Sequence, residues 1–248
     1  RLKNEFQAIC NLMDRYAYGG SPIFIADRGF SSYNVFAHAI ENNVDFLIRA
    51  KDLNVQRFLG IETLPDKLDT TIELILTRTQ SKKKHKHPEK ESQYRYICKN
   101  IAFDYLNSAD ISDEYLLTLR IVRVEVSDGV FENIITTLSE EDFTPDDIKC
   151  CYNLRWGIET SFRDLKHTIG ATNLHSKKTE YVAFELWSKL ILYNFCSIII
   201  LHVPVKSRNR KYEYQVNFSL AMKICFEFLR GVAPPNVESL ISKYILPI

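Results

Sequence analysis

The sequence predicts an α/β protein whose core of alternating strands and helices is interrupted by a β-rich insertion and followed by helices. Three observations predict it. A strand, a helix and a second strand alternate between Pro22 and Arg49, period-two patterns recur from Thr70 to Leu138, and a well-capped helix opens at Thr144. The 248 residues are 46% hydrophobic and 25% charged, which suits a folded domain carrying an insertion and excludes a largely disordered chain.

The first helix is read over Lys3–Tyr16, where Phe6, Ile9, Leu12 and Met13 share a face and Gly19-Gly20 ends the pattern. Ile23–Ala26 is a short apolar run of the kind found in a sheet covered on both faces, and it ends at Asp27. Sites in open α/β sheets form beyond the carboxyl ends of strands, so Asp27 is a candidate site carboxylate. It reads equally as a turn or cap residue ahead of the helix Ser32–Glu41. Asp45–Arg49 is the second covered strand. Thr70–Thr79, Tyr94–Cys98 and Tyr115–Val126 follow as strands, and Asp128-Gly129 turns a hairpin into Phe131–Leu138. This gives four segments: core residues 1–50, insertion 51–140, core 141–201 and a helical extension 202–248.

Thr144 suits a cap, Pro145 the first helical position, and Asp146 and Asp147 the positive end of the helix dipole. If one helix runs on from there, Tyr152, Arg155, Glu159 and Lys166 fall within an arc of about 60°, with Arg163 beside it. Cys151, Leu154, Ile158, Phe162, Leu165 and Ile169 form the adjacent stripe that this helix is expected to bury. One carboxylate among Arg, Lys and Tyr suits a metal ion held against a nucleic-acid backbone, the cations and hydroxyl taking the phosphates. A surface ladder of salt bridges uses the same residues.

A net charge of +1 does not by itself advertise a nucleic-acid partner, so any such partner must meet local patches. Thr77–Asn100 holds eight Lys or Arg against two Glu, including the run SKKKHKHPEK, which is either a solvated loop or a phosphate grip. Lys177 and Lys178 likewise read as backbone contacts or as plain surface. The six cysteines show no zinc-finger spacing and read as reduced thiols. Leu190–Leu201, the most apolar stretch, is too short to span a bilayer by itself and is expected to be a buried helix.

The spacing Y-x2-R-x3-E-x6-K, together with IADRGFSSYNVFAH, DFLIRAKD, RWGIETSFRDLK and NLHSKKTEYVAFELWSKLILYN, resembles the transposases of bacterial insertion sequences of the IS-four type. The likeness runs to about Arg230. It implies an RNase H-like core in which two Asp and one Glu bind two divalent cations, Mg2+ or Mn2+, for phosphodiester hydrolysis and strand transfer. By this resemblance Asp27 is the second Asp and Glu159 the Glu, both catalytic and metal-binding. Tyr152, Arg155 and Lys166 match the positions that hold DNA, and Arg163, Lys177 and Lys178 are further candidate contacts. The implied partners are transposon-end double-stranded DNA and target DNA, bridged by a homodimer. The implied setting is the bacterial cytoplasm, at the nucleoid, with no membrane.

The first Asp belongs on a core strand upstream of the opening helix, and no residue before Asp27 supplies it, since Asp14 falls on that helix. The expectation is therefore a C-terminal portion of a transposase, without the N-terminal strands of the sheet and inactive as an isolated chain. A non-catalytic DNA-binding remnant, another RNase H-like nuclease and a purely structural α/β protein are the alternatives.

Overall fold

Asn4 opens the first helix by accepting the Phe6 amide, and α1 (Glu5–Asp14) turns Cys10 and Met13 into the core. A computed structural model describes residues 4–17, 19–81, 85–107, 113–205, 214–232 and 235–247, in two compact units, Arg1–Arg155 and Trp156–Ile248.

In the first unit β1 (Ile23–Ala26) leads to α2 (Tyr33–Glu41), which Ser32 caps by accepting the Val35 amide. β2 (Asp45–Ala50) follows, then α3 (Asp52–Leu59), which lies in the stretch read from sequence as insertion. Next come β3 (Leu68–Thr77), β4 (Tyr94–Tyr96), β5 (Glu114–Ser127) and β6 (Val130–Thr136). The last two strands are joined through Asp128-Gly129, where Gly129 takes a φ of 68° that favours glycine.

All six strands form one mixed sheet in the order β1-β2-β6-β5-β3-β4. β1 runs parallel to β2, β3 runs parallel to β4, and the remaining neighbours are antiparallel. The β-rich segment thus continues the sheet begun by β1 and β2.

Strand alternation divides the core into two layers. Phe46, Ile48 and Ala50 of β2 join Leu117, Leu119 and Ile121 of β5 and Ile135 of β6 in the cluster that holds buried residues of α1, α2 and α3. Leu47, Val122, Val124 and Ile134 face the other way, against Ile148 and Tyr152 of α4 (Pro145–Asn153). Thr144 is the expected cap and forms a full capping box, taking the Asp147 amide while Asp147 takes the Thr144 amide.

The single long helix expected beyond Thr144 is divided. A 3-10 turn at Leu154–Trp156 separates α4 from α5 (Gly157–His167). A 3-10 turn advances about 120° per residue instead of 100°, so the arc drawn from Tyr152 to Lys166 does not carry across it. The stripe expected to be buried is also not buried, since α5 has no buried residue and Leu154 is 70% exposed.

In the second unit α6 (Thr179–Leu201) contains the Leu190–Leu201 stretch, and here too the expectation of a buried helix is corrected. Among its residues only Cys196 is buried, while Phe184, Trp187, Ile191, Ile198 and Leu201 are exposed. The apolar stretch belongs to a 23-residue helix, long and apolar enough to cross a membrane by length and composition. β7 (Tyr214–Val216) and β8 (Ile245–Pro247) pair as an antiparallel ribbon around α7 (Phe218–Leu229) and α8 (Val237–Ile241). Cys196 of α6, Ala221, Met222 and Cys225 of α7, and Val237 and Ile241 of α8 form this unit's core.

Candidate functional site

Asp27 follows β1 directly and is exposed. Its Oδ1 accepts the Gly29 amide at 2.7 Å and caps the 3-10 turn Arg28–Phe30, so the cap reading of this residue is correct as local structure. The cap engages one carboxylate oxygen, and Oδ2 has no hydrogen bond among the described residues. A Cβ at position 29 would stand 2.9 Å from Asp27 Oδ1, so a side chain there would shift this carboxylate.

Parity along the strands decides which side chains share the face above Asp27. Ile23 and Ile25 of β1 pack in the layer that contains Tyr152, and Asp27 continues their alternation. On β2, Arg49 shares the parity of Leu47, and on β6, Glu132 shares that of Ile134. Arg49 and Glu132 form an ion pair diagonally across the two strands. Both side chains are largely covered, at 30% and 22% exposure.

Tyr152 lies in the same layer and is only 5% exposed, and its hydroxyl has no hydrogen-bond partner among the described residues. Burial pushes the phenol above its ordinary pKa. Arg49 and Arg155 pull it down, and Glu132 and Asp27 push it up. Those four groups therefore lie within electrostatic reach of Tyr152, which gathers Asp27, Arg49, Glu132, Tyr152 and Arg155 in the first unit. Asp27, Tyr152 and Arg155 were candidates from sequence, whereas Arg49 and Glu132 were missed. The available signal was Arg49 itself, an inward-facing cation in the otherwise apolar core of DFLIRA.

The other candidates belong to the second unit. Glu159, Arg163 and Lys166 are exposed on α5, where spacings of four and seven set them along one side of the helix. Lys177 and Lys178 are exposed between α5 and α6, with Lys178 Nζ 6.0 Å from the centre of the Tyr181 ring. Among the described residues no group of three or more His, Cys, Asp or Glu gathers to hold a metal ion. Lys82, Lys83 and Lys84 of the basic run lie outside the described residues. Of its remainder, Lys90 pairs with Glu73 at 3.2 Å and His85 stacks on Tyr94.

An open carboxylate oxygen at a strand end, with guanidinium groups and a buried phenol beside it, is a class of site suited to a phosphodiester backbone. The chain matches the family described as transposase DDE domain over residues 3–195, and it belongs to that family. No curated protein matches it. The match spans every candidate named above, from Asp27 to Lys178. Transposases of this family act on DNA and generally use divalent metal ions.

Proposed function

We propose that this chain is the catalytic region of an insertion-sequence transposase of the IS-four type, with an RNase H-like core that carries out metal-dependent hydrolysis and strand transfer at transposon ends. The observation that carries the reading is the family match over residues 3–195, which contains Asp27 and Glu159 together with Tyr152, Arg155 and Lys166. Asp27 and Glu159 would hold Mg2+ or Mn2+ through hard carboxylate oxygens, and the open Oδ2 of Asp27 fits that donor chemistry. Bound ions of this kind stabilise the attacking and leaving oxygens of an in-line phosphoryl displacement.

The protein's own groups would position the strand. Arg155, Arg163 and Lys166 neutralise phosphate charge, Lys177 and Lys178 extend that contact, and the hydroxyl of Tyr152, buried and without a partner among the described residues, would meet a phosphate or a sugar only once the side chains covering it move aside. The partners would be transposon-end duplex and target DNA, bridged by a homodimer in the bacterial cytoplasm at the nucleoid.

On this reading the chain is expected to bind DNA and Mn2+. Calorimetric Mn2+ titration and a nicking assay on the DNA flanking the chain's own gene test this. Asp27→Ala and Glu159→Ala should each weaken Mn2+ binding at least about tenfold, a loss on the scale of one ligand, whereas Lys90→Ala should not. Mn2+ binding unaffected by either carboxylate change would overturn the metal reading.

A further inference from the structure

The segment from Thr168 to Lys178, between α5 and α6, has no regular structure, yet its backbone is held at four places by two side chains of α6. Lys189 Nζ donates to the carbonyls of Gly170 at 2.7 Å and Asn173 at 2.6 Å. One turn earlier on the helix, Glu185 Oε2 accepts the amides of His175 at 2.9 Å and Ser176 at 3.4 Å. Glu185 Oε1 also meets His175 Nδ1 at 2.9 Å, and the Glu185–Lys189 ion pair closes the arrangement at 3.4 Å. Both α6 side chains are well covered, at 18% and 17% exposure. The His175 ring and then its amide hold the Glu185 carboxyl low, at about 2, so it is ionised throughout the working range.

The clamp ends at Ser176. The next two residues are Lys177 and Lys178, both exposed, and Lys178 is the cap position of α6 and offers no side-chain cap of its own. Fixing the carbonyls of Gly170 and Asn173 and the amides of His175 and Ser176 to the helix body fixes where the two ammonium groups start. Glu185 is engaged by the Lys189 ammonium and by the amide and ring of His175, and Lys177 and Lys178 are left pointing outside this arrangement as exposed residues.

We propose that Glu185 and Lys189 are positioning residues that hold the Gly170–Ser176 backbone so that Lys177 and Lys178 engage DNA phosphates, an inference that rests on reading those two lysines as DNA contacts. The sign of one substitution separates this role from simple electrostatics. A carboxylate that merely stands near a bound phosphate repels it, and its removal raises affinity. A carboxylate that positions the lysines lowers affinity when it is removed.

The test is fluorescence-anisotropy binding of a short mixed-sequence DNA duplex by the full chain, between about 50 and 200 mM salt. Lys177→Gln with Lys178→Gln should weaken binding and reduce the slope of log affinity against log salt by about two, one for each phosphate contact. Glu185→Gln should weaken binding about three- to tenfold with a shallower slope, and in the double-lysine background it should add nothing. Lys189→Arg, which keeps the donors, should stay within about twofold of the parent, while Lys189→Met should behave like Glu185→Gln. Thermal melts of each variant separate lost positioning from lost folding, because Lys189→Arg must bind normally even where Lys189→Met is destabilised. If the double-lysine variant keeps full affinity and slope, the DNA reading of those lysines fails and this proposal with it. If the double-lysine variant weakens binding while Glu185→Gln matches or exceeds the parent, only the positioning role is overturned.

Discussion

The Tyr152 hydroxyl is buried without a hydrogen-bond partner among the described residues, and an unsatisfied buried donor costs about 1–3 kcal/mol. Tyr152→Phe should therefore raise stability by about 1 kcal/mol in urea denaturation while lowering DNA affinity, an opposition expected where a group is retained for binding. A second residue gives a pH signature. His38 is buried, with Nδ1 at 2.7 Å from Asp14 and Nε2 at 2.9 Å from Asp104. Both nitrogens face carboxylates, so the ring must carry both protons to satisfy them. Burial lowers the His38 pKa, but the bonds to Asp104 and Asp14 outweigh it and the net shift is upward from 6.5. A raised folded-state pKa gives stability that is fully present below about 6.5 and lost as pH rises through the folded value. The melting temperature should fall as pH rises above about 6.5 in the parent, and the fall should be smaller in His38→Gln. The place of Asp27 at the end of β1 was legible because the apolar run Ile23–Ala26 stops there. The His38 clamp was not legible, because Asp14, His38 and Asp104 come from three separate segments and meet only after packing.

Among the elements, those with a periodic apolar face were readable from residues alone. β1 spans the four residues expected of it, and α2 covers the expected Ser32–Glu41 segment except that Ser32 is its cap and not its first residue. α3 was missed although Leu53, Val55, Phe58 and Leu59 sit before a left-handed Gly60, because Lys51 provides no side-chain cap to announce it. The division between α4 and α5 was also missed. Nothing in Leu154–Trp156 breaks a helix by itself, and only Gly157 weakens the next turn. The exposed face of α6 escaped for the opposite reason, since an apolar run reports hydrophobicity and not what covers it. The start of α4, by contrast, rests on the Thr144 capping box. Thr144→Ala should cost about 1 kcal/mol, read as a lower urea midpoint at unchanged denaturant slope.

At the scale of the whole molecule, the two units differ in how deeply their elements are buried. β2, β5 and β6 contribute many fully covered side chains to two packed layers, whereas α5 contributes none. Amide hydrogen exchange should be slowest at Leu47–Ile48, Leu117–Val122 and Ile134–Ile135, and α5 amides should exchange faster by orders of magnitude. Uniform protection across both units would contradict this ranking. The continuous sheet also sets an order of assembly. β5 and β6 can zip locally around their two-residue turn. β2 meets β6 only after a long closure, since the Arg49–Glu132 ion pair joins residues 83 apart in sequence. The face that carries Asp27 and Tyr152 is therefore completed late, after the hairpin. A chain stalled during synthesis or refolding would display a well-formed hairpin with no site above it.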